Sequence, residues 1–308
     1  IKDEFDVVLG YQFSPVMQVD PGLVYAKKHH KKMLLYCFDL WPISLTAGGF
    51  SQESLPYKWM SSVSRRIYSR ADRIAVTSPL FDEYFSGSLF LNREPSAYLP
   101  QYADDNFGMV GTSSGCDGYD PTKVNLTFAG NVGQAQSVAT IVRAASLCNN
   151  DKIVFHVVGS GSRLEDCKRL AETLKAKNVV FHGRKPIEEM PRYYAASSAM
   201  LVTFEDSPMA TYTLPRKVTT YLAAGKPVLA ALSGETKRVI DEAHCGLCCA
   251  FEDAEGLARI CDEFVGRDDK ELMGKNARSY YVSHFSKEMF FDKLESILKE
   301  LAGENNNG

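Results

Sequence analysis

At 308 residues the chain is long enough for two domains of about 150 residues each. Its 45% hydrophobic and 24% charged residues are ordinary globular composition, and a formal net charge of −3 argues against wholesale nucleic-acid binding. No apolar run approaches the roughly 18 residues of a membrane span, and no basic stretch leading into an apolar core marks a secretory signal.

Apolar strand-like runs alternate with amphipathic helical stretches, the pattern of a parallel α/β sheet. "FDVVLG", from Phe5, predicts a first strand, and Pro21 to Lys32 a helix ending in the basic run "KKHHKK". "MLLYCFDLW" predicts a second strand, Lys58 to Arg70 a helix, "RIAVTS" a third strand and Pro79 to Phe85 another helix. The stretch 100–124, "PQYADDNFGMVGTSSGCDGYDPTKV", is rich in Gly, Asp and Ser and poor in core residues. It predicts a linker with a surface loop at 106–123, with Asp104 and Asp105 solvated beside it. A second series runs through "VNLTFAG", "KIVFHVVG", "VVFHG", "AMLVTF", "PVLAAL" and "GLCCAF", with helices between. Lys287 to Leu301 predicts a last amphipathic helix, followed by a frayed tail, "GENNNG".

The fold class expected is α/β, with two Rossmann-like domains facing across a cleft. Residues 1–105 form the first, joined by a C-terminal helix at 285–302, and residues 124–284 form the second. The first series supplies about three strands against about six, so a leading segment of about 80 residues is expected ahead of Ile1. Among eight cysteines, Cys245-x-x-Cys248 has redox or zinc spacing, but no second Cys or His pair completes a metal set. Reduced structural cysteines in a cytoplasmic protein are expected.

Four strand ends of the second series carry small or cationic residues. "TFAGNVGQAQ" places Gly130 and Gly133 in a loop that opens a helix, where backbone can approach a phosphate or a sugar ring. "VVGSGS" repeats the arrangement with Gly159 and Gly161, and "VVFHGRKP" ends a strand with Gly183, Arg184 and Lys185. In "TYTLPRKVTTYLAAGKPVLA" a polar turn leads into a short helix that stops at Gly225 and Pro227. Arg216 and Lys217 add positive charge at that helix start, itself suited to an anion. Singly, each loop reads as a tight βα turn; in register, the four make a site for a nucleotide diphosphate.

These runs, "FAGNVGQAQS", "VVGSGS", "VVFHGRKPIEEMPRYYAASSAMLV" and "TLPRKVTTYLAAGKPVLAALSGE", resemble the donor domain of glycosyltransferase family 4, which has the GT-B fold. The likeness is to bacterial transferases that build capsule or O-antigen repeat units. "YQFSPV", "LLYCFDLWPISL" and "ADRIAVTSPLFDEYF" are similar to that family's acceptor-side domain. The resemblance implies retaining transfer of a sugar from a nucleotide-diphosphate donor, of the UDP-N-acetylhexosamine type, without a required metal or cofactor. The implied acceptor is lipid-linked or a saccharide.

The leaving group then falls to Lys217, Arg216 and the backbone of Thr213, Leu214 and Pro215, and the base to the loop at Gly183 and Arg184. Glu235 either accepts from a ribose or sugar hydroxyl or is a helix-start acid. Asn131 and Gln136 stand where the family often has Arg and Lys, and Tyr212 and Thr220 where it often has a pair of Glu, so a variant site is expected. Asp39, in "FDLWP", orients or deprotonates the acceptor hydroxyl, or caps the turn before Pro42. The run at Lys27 to Lys32 is a solvated helix end or a hold on an anionic bilayer. Two other readings stay open: a nucleotide-sugar-binding accessory protein without turnover, and an epimerase, for which no paired carboxylates are evident.

Overall fold

The computed structural model describes residues 5–108 and 116–303. Residues 109–115 of the expected linker and 304–308 of the expected frayed tail lie outside the described residues. The chain divides into two compact units, one running to Gln101 and resuming at Lys287, the other spanning Tyr102–Ser286.

The first unit is built from β1 (Val7–Gln12), α1 (Asp20–Lys28), β2 (Lys32–Cys37), α2 (Leu55–Arg70), β3 (Arg73–Val76), α3 (Phe81–Gly87) and β4 (Ala97–Tyr98). Its four strands are parallel in the order β1-β2-β3-β4. Met33 to Cys37 are fully buried, because a parallel strand covered on both faces must be apolar on both. Ser54 caps α2 by accepting from the Tyr57 amide at 3.4 Å, with Pro56 in the first turn, where its missing N–H costs nothing. β4 is too short to show a period in the sequence.

The second unit carries β5 (Val124–Ala129), α4 (Val138–Leu147), β6 (Ile153–Val158), α5 (Leu164–Thr173), β7 (Val179–Gly183) and α6 (Met190–Ala196). It continues with β8 (Ala199–Thr203), α7 (Pro208–Tyr212), α8 (Arg216–Ala223), β9 (Val228–Ala231), α9 (Glu235–Glu242) and β10 (Gly246–Cys249). α10 (Ala254–Gly266) and α11 (Lys270–His284) complete it, and α12 (Lys287–Ala302) returns to the first unit, setting Phe290 5.9 Å from the Tyr36 ring. The second sheet is parallel throughout, in the order β10-β9-β8-β5-β6-β7. Strand order therefore reverses between β5 and β8, and the crevice at such a switch point is where open α/β sheets bind ligands.

The expected linker is drawn too wide. Tyr119 stacks on His156 with ring centres 3.7 Å apart, its hydroxyl lies 2.9 Å from Thr127 Oγ1, and Cys116 is buried. Residues 116–123 thus belong to the packing of the second unit: a single aromatic anchor holds a segment whose composition reads as loop.

Two residues of the Gly-Lys-Pro that ends α8 have a clear physical role. Gly225 takes φ = 67°, the left-handed turn that closes the helix. Lys226 folds back so that Nζ donates to the carbonyls of Ala195 and Ser197, at 3.0 and 2.9 Å, where α6 ends. Lys226→Met strands those two acceptors and is expected to cost about 1–3 kcal/mol, read as a lower urea midpoint at unchanged m-value.

Candidate functional site

A cavity of about 1100 Å³ opens in the second unit at the carboxyl ends of β5, β6 and β7 and the start of α8. Four cations line it, Arg184, Lys185, Arg216 and Lys217, against two carboxylates, Asp104 and Glu188. With Lys217 protonated the surplus is two positive charges, which suits an anionic ligand.

Lys217 is its centre. Nζ is buried and has no hydrogen-bond partner among the described residues. It sits 4.0 Å from the centre of the Phe128 ring, at the end of β5, and 5.9 Å from that of Phe204, just beyond β8. A cation over an aromatic face gains something, but less than the water it gave up. Burial accordingly pulls the Lys217 amine from its ordinary 10.5 down to about 7. Gly130, at φ = 139°, makes room for this arrangement, since a Cβ there would lie 3.0 Å from Nζ.

The other glycines act differently from what the sequence suggests. The Gly130 amide donates to the Val158 carbonyl at 2.9 Å and the Gly159 amide to the Gly183 carbonyl at 2.8 Å, so neither is free for a phosphate. Gly159 is there because a Cβ would fall 1.8 Å from the Gly130 carbonyl oxygen, and Gly161 because one would fall 2.4 Å from that of Val132. These glycines let adjacent loops touch and set the cavity wall. Gly133 has its amide on Gln136 Oε1 at 3.2 Å, and the same oxygen accepts from Asn131 Nδ2 at 3.0 Å. Gln136 is therefore a brace for the loop, whereas Asn131 reaches the cavity.

Three further expectations are corrected. Thr213 cannot offer its amide, which is bonded to the Met209 carbonyl at 3.1 Å, and Pro215 has no N–H; none of Thr213, Leu214 and Pro215 lines the cavity. The α8 groups that do line the cavity are Arg216, Lys217 and Thr220. Glu235 is fully buried, with both oxygens held by Arg238 at 2.7 and 2.8 Å. It is the acid of the first turn of α9, paired three residues on, and does not line the cavity. Gly183 likewise stays in its strand while Arg184 and Lys185 line the wall. The Cys245-x-x-Cys248 pair is not poised for redox work, since burial pushes both thiols up to about 12.

Sequence reasoning missed Phe107 and Tyr194, whose rings stack 5.2 Å apart at the cavity, and Phe128 beneath Lys217. Phe107 was hidden in a stretch of loop composition, and Phe128 reads as a core residue. In the first unit, Asp39 follows β2 and its Oδ2 accepts from Ser14 Oγ at 2.7 Å, which in turn accepts from Trp41 Nε1 at 3.0 Å. That chain fixes the carboxylate in one orientation.

The family model described as "Glycosyl transferases group 1" matches residues 123–266. Those residues are similar to group 1 glycosyltransferase domains. Along 97% of its length the chain is 28% identical to the probable glycosyltransferase WbjE of Pseudomonas aeruginosa, 76% of which is covered. Among solved structures it resembles Anabaena HepE, crystallised with UDP and glucose, at TM-score 0.75 and 16% identity over 95% of this chain and 77% of that one. It also resembles WaaG, a glycosyltransferase involved in lipopolysaccharide biosynthesis, at TM-score 0.66 and 15% identity over 92% of this chain and 80% of that one. The fold is GT-B, and the cavity is lined mostly by residues of the matched stretch, with Asp104 and Phe107 ahead of it.

The depressed amine of Lys217 has a stability signature. Between about pH 7 and its ordinary 10.5 the unfolded chain binds a proton that the folded chain does not, so stability rises with pH through that window. Below pH 7 the cost is present in full. Lys217→Met should therefore be more stable than the parent at pH 6 by about 1–3 kcal/mol, with the advantage shrinking towards pH 10, measured as chemical denaturation midpoints at each pH.

Proposed function

We propose that the protein is a retaining glycosyltransferase. It moves a sugar from a nucleotide-diphosphate donor, of the UDP-N-acetylhexosamine type, to a lipid-linked or saccharide acceptor in surface polysaccharide synthesis. The observation that carries this is Lys217: a buried amine without a partner, in a cationic cavity at a topological switch point, lacks only an anion. A pyrophosphate supplies it. As the bond from the anomeric carbon to the phosphate oxygen breaks, its electron pair stays on the diphosphate, and Lys217 and Arg216 meet the growing charge. The first amides of α8, those of Arg216 and Lys217, replace the Thr213–Pro215 backbone in that role.

The base lies against Arg184 and Lys185, with the stacked Phe107 and Tyr194 as apolar wall, and Asn131 faces the sugar end. Asp39, held by Ser14, is the residue assigned to orient or deprotonate the acceptor hydroxyl. This chemistry draws on no metal or cofactor, and nucleotide sugars place it in the cytoplasm, with peripheral contact at the inner membrane face where a lipid-linked acceptor would be met.

A donor panel read by release of nucleoside diphosphate tests the assignment. Lys217→Ala should lower turnover by about 10²–10³-fold, the loss seen when one donor is removed from a comparable anion hole; turnover equal to the parent's would sink it. Binding carries a second sign. An anion raises the amine above about 7, so binding takes up a proton, and affinity for UDP should fall above pH 7 by up to about tenfold per pH unit. Lys217→Met should remove that slope.

A further inference from the structure

The outer face of α1 and α2 has a composition that the proposed reaction does not use. α2 carries Lys58, Arg65, Arg66 and Arg70 and no acidic residue. On its solvent side stand Leu55, 82% exposed, and Trp59, 61% exposed, four residues apart and so on one face. Beside Arg65 of the same helix stands Phe90, 75% exposed, with the Arg65 guanidinium 6.0 Å from its ring centre and Arg65 Nε donating to the Leu89 carbonyl at 2.9 Å. Phe90 is held at φ = 52°, a conformation that costs a bulky residue energy. An exposed ring kept there against both its solvation and its backbone preference points to a use.

α1 is fastened to α2 by the Arg66–Asp20 ion pair at 2.7 Å, and adds Val24, Lys27 and Lys28 to the same side. Asp20 and Asp72 beside this face are each bound to a cation, Arg66 and Lys32. Between the ends of the two helices a pocket of about 530 Å³ is lined by Lys27, Lys31 and Arg70 above Leu23 and Ala26. Helix C-termini account for Lys27, Lys28 and Arg70 as partners of the dipole. They do not account for Lys58 in the first turn of α2, where the dipole opposes a cation, for Arg65 in mid-helix, or for the exposed Leu55 and Trp59.

We infer that this face docks on an anionic phospholipid bilayer, with Leu55, Trp59 and Phe90 at the headgroup boundary and the intervening cations on lipid phosphates. Large apolar side chains standing singly among a surplus of cations suit that boundary, where tails and phosphates are met together. No helix among the described residues is long and apolar enough to cross a membrane, so the contact is peripheral. The inference rests on the proposed function only for its purpose, bringing the protein to a lipid-linked acceptor.

Trp59 is its own reporter, because the only other tryptophan, Trp41, is buried. The full chain is mixed, without donor or acceptor, with vesicles of phosphatidylglycerol and phosphatidylcholine, or of phosphatidylcholine alone. Co-sedimentation with the anionic vesicles, reversed near 1 M salt where the screening length falls to about 3 Å, is expected together with a blue shift of Trp emission. Trp59→Phe should keep most binding and lose the shift. Lys28→Ala with Lys58→Ala should weaken partitioning about 25-fold, at about fivefold per lysine. Absence of binding to anionic vesicles, binding with Trp59 emission unmoved, or a double variant that binds like the parent would each overturn the inference. Binding to a polynucleotide but not to vesicles would overturn it in favour of nucleic acid. UDP binding measured on the same preparation separates the two ideas: intact UDP binding beside failed vesicle binding removes only this one.

Discussion

A lysine amine buried above an aromatic ring, with no hydrogen-bond partner among the described residues, is the constraint on which the cavity of the second unit depends. Proteins avoid unpaired buried polar groups because each costs free energy that a packed core must offset. The surrounding elements explain how this one is kept. Phe128 closes the space below it, Gly130 withholds a side chain from above, and the first turn of α8 sets its Cα at the rim. The strain is local and its remedy is an anion, which makes the site a receptor before any catalytic step is considered.

The loops around that amine are stiff for a reason that differs from the one their sequence suggests. Glycine-rich βα turns invite the idea of amides aimed at a phosphate. Here the amides of Gly130 and Gly159 are spent on neighbouring strand ends and that of Gly133 on Gln136 of its own loop, while Gly159 and Gly161 allow carbonyls to pass where a Cβ would collide. Bonds from the Thr203 hydroxyl to the Gln136 carbonyl at 2.7 Å, and from the Glu205 amide to the Ala135 carbonyl at 3.0 Å, tie the loop after β5 to the end of β8. A wall held this way positions the side chains Asn131, Arg184 and Arg216 without reorganisation when a ligand arrives, the condition under which fixed dipoles and charges stabilise developing charge best.

Much of this was legible in the residues, and the limits are physical. Continuous apolar runs such as "MLLYC" and "PVLAAL" mark buried parallel strands, and both lie where the sheets have them. Lys217 and Arg216 stood out because cations at a helix start oppose the dipole unless an anion is wanted. Glu235 was misleading because a carboxylate in the first turn of α9 has the same sequence signature whether it serves a ligand or Arg238. Phe107 and Tyr119 were lost because a loop's composition conceals a single aromatic anchor. A strand of two residues, β4, carries no period to be read.

The residue at position 220 gives the site its character. Glycosyltransferase family 4, which this domain resembles, often has a carboxylate there; this chain has Thr220, three residues beyond Lys217 and on the same cavity wall. A carboxylate one helical turn away would pair with the amine, hold it charged and share its field with any arriving ligand. Thr220 instead turns its hydroxyl to the Arg216 carbonyl at 3.1 Å and leaves the amine uncompensated. In the proposed reaction such an acid would bond the donor's hydroxyls, and without it the lysine's electrostatic response is left to the phosphates. Asn131, neutral where a cation is common, fits the same logic: with fewer fixed charges of either sign around it, Lys217 is the group whose protonation state decides what the cavity can hold.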